Sequence, residues 1–104
     1  MTTFDEREKG FEQQFAHDEE LKFKATARRD RLLGLWAGEK LGLGGPDAAA
    51  YAKEVVVAEI EQHDVFAKIR KDLDLKGVKV PDEEIRRAML DLMGRAVAEI
   101  KAGK

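Results

Sequence analysis

Three short breaks constrain this chain more than any other feature: Leu41-Gly42-Leu43-Gly44-Gly45-Pro46, Gln62-His63-Asp64, and Lys76-Gly77-Val78-Lys79-Val80-Pro81-Asp82. Glycine and proline interrupt regular structure there, and the stretches between carry apolar residues at helical spacing. In the first, Leu21, Ala25, Leu32, Leu35, Trp36 and Leu43 form a core-facing stripe, and the helix is expected to stop at Gly42 or Gly44. Pro46 or Asp47 then opens a second helix through Tyr51, Ala52, Val55, Val56 and Ile60, whose small residues are expected to admit a neighbouring helix closely. A short third helix over 64–76 takes Asp64 as N-cap and buries Val65, Phe66, Ile69 and Leu73. The fourth starts after Pro81-Asp82-Glu83-Glu84, acids that suit a helix N-terminus, and presents Ile85, Ala88, Met89, Leu92, Met93, Ala96 and Ile100. Val78-Lys79-Val80 alternates like a strand but is too short to pair usefully.

The expectation is an all-α protein: a four-helix bundle or an irregular antiparallel helical packing, with a mobile or frayed N-terminal segment. A length of 104 residues suits a single core. We divide the chain into an N-terminal partner-binding segment, 1–19, and a helical bundle domain, 20–104.

Residues 4 to 20 do not read as part of that core. Phe4, Phe11 and Phe15 are set among Asp5, Glu6, Arg7, Glu8, Lys9, Glu12 and Asp18, and their spacing places them on one helix face. Projected along a straight continuation of the first helix, that face sits roughly 90° from the Leu21-Ala25-Leu32 stripe. Either the segment bends back at Gly10 or near His17 to cover a second patch of the bundle, or it becomes helical only inside a partner. Its charge and Gly10 favour the second, because few apolar groups offset an ordering cost of about 1–2 kcal/mol per residue. Three rings buried in a partner's cleft would return about 1.5–3 kcal/mol each.

Composition excludes several function classes. The 19 basic and 21 acidic residues nearly cancel, to a net charge of −2, so the basic excess of a nucleic-acid binder is missing. There is no cysteine, which removes disulfides and thiolate metal sites and suits a reducing compartment. The first residues lack a secretory h-region, and no apolar run approaches the ~20 residues of a membrane span. A cytoplasmic protein is expected.

The chemistry available is sparse. His17 and His63 are far apart, with no i,i+4 partner histidine, so no metal site is expected. His17 precedes Asp18-Glu19-Glu20, where a change of charge could make the segment pH-responsive. Gly44 and Gly45, with Lys40 just upstream, are the candidates for a weak anion or nucleotide site, although the Lys-Ser/Thr ending of a Walker loop is absent and Pro46 removes an amide donor. In the basic run Lys22, Lys24, Arg28, Arg29 and Arg31, interrupted by Asp30, Arg28 projects onto the apolar stripe and requires a carboxylate or an interface. With neither serine nor cysteine in the chain, no nucleophile constellation forms, and we expect a non-enzyme without cofactors.

The run Phe15-Ala16-His17-Asp18-Glu19-Glu20-Leu21, then Phe23-Lys24-Ala25, Ala27-Arg28-Arg29, Leu32-Leu33-Gly34-Leu35-Trp36-Ala37 and Tyr51-Ala52-Lys53-Glu54-Val55-Val56, resembles the zeta subunit of alphaproteobacterial F-type ATP synthases, a family long known as a domain of unknown function. Arg70 to Leu73 and Ile85-Arg86-Arg87 fit its later helices, whereas Gln62-His63-Asp64 replaces the more acidic, glycine-containing connection expected there. The resemblance implies a four-helix intrinsic inhibitor whose N-terminal end enters the catalytic interface of the ATPase headpiece, between catalytic and rotor subunits, and blocks ATP hydrolysis. The matches Phe4-Asp5-Glu6-Arg7-Glu8 and Phe11-Glu12 carry that end over to this chain. Their chemistry, with that of Phe15, makes Phe4, Phe11 and Phe15 anchors and Arg7 a charged contact, and Arg28 joins them as a partner-binding residue. We expect a monomer when free, peripherally associated with the membrane-bound synthase and binding neither nucleic acid nor membrane. The alternative is a small helical binding module with a nucleotide or anion site at Gly42 to Pro46.

Overall fold

The computed structural model describes residues 19–103. Four helices follow one another: α1 (Glu19–Lys40), α2 (Gly45–Gln62), α3 (Val65–Leu75) and α4 (Asp82–Lys101). The expectations attached to Phe4, Arg7, Phe11, Phe15 and His17 lie outside the described residues.

Each boundary has a local cause. Glu19 and Glu20 in the first turn of α1 and Lys40 in its last turn complement the helix dipole. Gly42, at φ 80°, ends α1 in a left-handed cap. The Leu43 amide donates to the Gly38 carbonyl and the Gly42 amide to that of Glu39, which is a Schellman motif. Gly77, at φ 75°, closes α3 the same way: Val78 donates to Leu73 and Gly77 to Asp74. α2 begins at Gly45, one residue before Pro46, and runs into His63, which takes the left-handed conformation at φ 56° without being glycine. Asp64 then caps α3, its Oδ1 accepting from the Ala67 amide at 2.9 Å. The segment Val78-Lys79-Val80 is an irregular connection, with Val80 buried in the core.

α1 is the hub. It packs against the other three helices, most extensively α2 and α4, and those two form no interface with each other. Gly34 faces Ala52 while Gly38 faces Ala48, so α1 and α2 run antiparallel. The ion pairs Arg28–Glu99 and Lys40–Glu84 show the same for α1 and α4. The core comprises Leu33, Ala37 and Leu41 of α1 and its loop, Tyr51 and Val55 of α2, Val65, Ile69 and Leu73 of α3, then Val80 and Ile85.

The buried line of α1 corrects the stripe read from the sequence. Ala25 is buried as read, and Trp36 and Leu43 pack against the core, but Leu21, Leu32, Leu35 and Trp36 are only half-buried, whereas Leu33, Gly34, Ala37 and Gly38 are buried. The stripe lies on the flank that carries Arg28 and Lys40, turned toward α4, while the deepest contacts face α2 and α3.

Polar staples join the shorter helices to this frame. The Tyr51 hydroxyl donates to Asp72 Oδ2 at 2.8 Å, and Lys68 Nζ reaches the same oxygen at 3.0 Å. Burial, reinforced by the Asp72 bond, holds the Tyr51 phenol well above its ordinary range. Arg70 of α3 donates to the Val80 carbonyl, to Asp82 Oδ1 at 2.9 Å and to Asp74 Oδ1 at 2.7 Å, fixing the connection into α4.

Candidate functional site

The residues that sequence analysis singled out in the described region are not brought together. Arg28 finds a carboxylate within the chain: Nη1 lies 3.7 Å from Glu99 Oε1, both side chains being half-buried. Glu99 also receives Arg95 Nε at 3.0 Å, so α4 supplies the counter-charge that Arg28 requires. Lys40 points away from the glycine loop. Its ammonium stands 4.9 Å from the Trp36 ring centroid and 3.9 Å from Glu84 Oε2, a cation–π contact extended by an ion pair. Gly44 and Gly45 are exposed at the start of α2, where the Asp47 and Ala48 amides donate back to the Gly44 carbonyl. Among the described residues no group of three or more His, Asp or Glu is placed to hold a metal, and no helix is long and apolar enough to cross a membrane.

The exposed apolar side chains have a clearer arrangement. Phe23 on α1 is 73% exposed and Ile60 on α2 is 62% exposed, and both border one cavity between the two helices. The first residue of α1, Glu19, lines the same cavity. At its floor is Asp30, the buried charged residue among those described, with a relative exposure of 0%. Asp30 Oδ1 accepts from Arg29 Nε at 2.7 Å, while Oδ2 has no partner among the described residues. Burial raises the Asp30 carboxyl from 3.8 to about 6, with Arg29 opposing the shift and Glu59 adding to it.

Sequence analysis missed Asp30, Phe23 and Ile60 as site residues. The signal for Asp30 was its register: it precedes Leu33 by three residues and Ala37 by seven, positions that share one helix face. Phe23 had been read inside a family motif and Ile60 as core.

Helices fixed by glycine caps and ion pairs, with Phe23 and Ile60 exposed beside one cavity, define a small all-helical protein. A family model described as ATPase inhibitor subunit zeta matches residues 1–99, and the chain belongs to that family. It is also similar to a protein whose structure was determined in solution by NMR. The two are 44% identical, with a TM-score of 0.71, over 81% of this chain and 99% of the other. No curated protein matches the sequence.

Proposed function

We propose that this chain inhibits ATP hydrolysis by an F-type ATP synthase through residues 1–19, which become helical in the cleft between catalytic and rotor subunits while the bundle docks outside. The observation that supports this reading is the reach of the family match. It begins at residue 1 and continues to 99, so it takes in Phe4, Arg7, Phe11 and Phe15 as well as the four helices. The rings supply apolar burial in the cleft and Arg7 pairs with a carboxylate there. Arg28 contributes if a partner carboxylate takes the place of Glu99. The protein acts sterically and makes or breaks no bond. It works in the cytoplasm, as a monomer when free, at the periphery of the membrane-bound synthase.

The test is a truncation. Circular dichroism of a chain lacking residues 1–14 checks that the described core, built from residues 33 to 89 and Leu92, is kept. Titrated into the cognate ATPase, the full chain is expected to suppress hydrolysis and the truncated chain to leave it running. Equal inhibition by both would remove the N-terminal segment from the mechanism. Phe11→Asp is expected to weaken inhibition while leaving the helical circular dichroism signal of the bundle unchanged.

A further inference from the structure

The cavity between α1 and α2 has the composition of a ligand site that the inhibitory reading does not use. Its volume is about 400 Å³, within the range of small-molecule pockets. Phe23 and Ala27 of α1 and Val56 and Ile60 of α2 make apolar walls. The floor carries Asp30, whose Oδ2 is buried and without a hydrogen-bond partner among the described residues. A buried oxygen left in that condition is costly, and a donor arriving from the cavity would relieve the cost. Arg29 answers Oδ1 only. Around the opening, Glu19 and Glu59 are acidic and Lys22 and His63 basic, so the rim is mixed while the floor is anionic.

We propose that this pocket binds a small organic cation, a protonated amine or amidinium on a compact apolar body, with its N–H donating to Asp30 Oδ2 and its apolar part held between Phe23 and Ile60. The walls favour a hydrocarbon group of aryl or short alkyl size, and the carboxylate sets the sign of the charge. A neutral ligand of the same shape gains the walls but not the charge-assisted bond, and an anion meets repulsion from Asp30. The site is independent of how residues 1–19 act on the ATPase.

Amide NMR titration of the full chain with phenethylamine, 2-phenylethanol and phenylacetate tests this directly. Saturable shifts are expected with the amine at residues 26–30 and 56–60. The alcohol is expected to bind at least about tenfold more weakly, the loss of one charge-assisted hydrogen bond, and phenylacetate not at all. Asp30→Asn keeps the volume of the side chain and is expected to reduce the amine's affinity to that of the alcohol, while Phe23→Ala weakens both ligands together. Equal affinity for amine and alcohol would overturn the proposal, as would the absence of saturable amine shifts up to about 10 mM. The comparison of amine with alcohol uses the native chain and remains decisive whatever Asp30→Asn does to folding.

Discussion

The two ends of the α1–α2 interface are built on opposite plans. Near the connecting loop, Gly34 and Gly38 meet Ala52 and Ala48, and the backbones approach so closely that a methyl on Gly34 would sit 2.5 Å from Ala52 Cα. Further back along α1, about one turn from Gly34 at Asp30 and three at Phe23, the helix and Val56 and Ile60 of α2 border a cavity of about 400 Å³. The closed end gains dispersion contacts because nothing but hydrogen separates the chains. At the open end the lining is bulkier, Phe23, Val56 and Ile60 beside the buried carboxyl of Asp30. One interface therefore combines a tight backbone approach with an apolar recess.

The difference can be broken at its tightest point. Gly34→Val places a branched side chain against the Ala52 backbone and should destabilise the fold by about 3 kcal/mol or more, read as a drop in the denaturant midpoint. If the midpoint holds, the closed end is less tightly built than described.

Asp30→Asn probes the other end and acts in the opposite direction. The folded chain holds the Asp30 carboxyl at about 6 against an ordinary 3.8, so it binds that proton more tightly than the unfolded chain does. The stability linked to this proton is complete below about pH 4 and is lost as pH rises through 6. The amide variant should therefore be more stable than the parent by about 2–3 kcal/mol at pH 8 and nearly equal to it at pH 3.5. Urea titrations at the two pH values measure the difference, and a variant less stable at pH 8 would contradict the account of Asp30.

The smallest effect distinguishes two glycines one turn apart. A methyl on Gly38 meets only ordinary contacts, the nearest at 3.7 Å to Ala48, so Gly38→Ala should raise stability by up to about 1 kcal/mol through helix propensity. Thermal unfolding of Gly38→Ala beside the Gly34 variant should show opposite signs.

Element boundaries were legible in the sequence because single residues dictate them: Gly42 and Gly77 as left-handed caps, Asp64 as N-cap. So was close helix approach, signalled by the alanines of α2. The buried face of α1 was not, because its deepest line passes through Gly34 and Gly38, which carry no hydrophobic signal, and because α1 is covered from two flanks. Leu32, Leu33, Leu35 and Trp36 then compete as stripe residues, and only packing shows that Leu33 is the innermost. Asp30 was read only as an interruption of a basic run for the same reason. His63 in a left-handed turn has no sequence signature of the kind glycine gives. The ion pair of Arg28 was anticipated in kind, as a need for a carboxylate, but Glu99 comes from 71 residues further along the chain, and no local pattern names it.

The division of labour between an N-terminal inhibitory segment and a docking bundle is tested most directly by amide hydrogen exchange across the full chain, free and bound to the ATPase headpiece. The account predicts that binding slows exchange at residues 1–19 far more than within α2 and α3. Protection confined to the bundle, with residues 1–19 exchanging as fast in the complex as in the free protein, would contradict it.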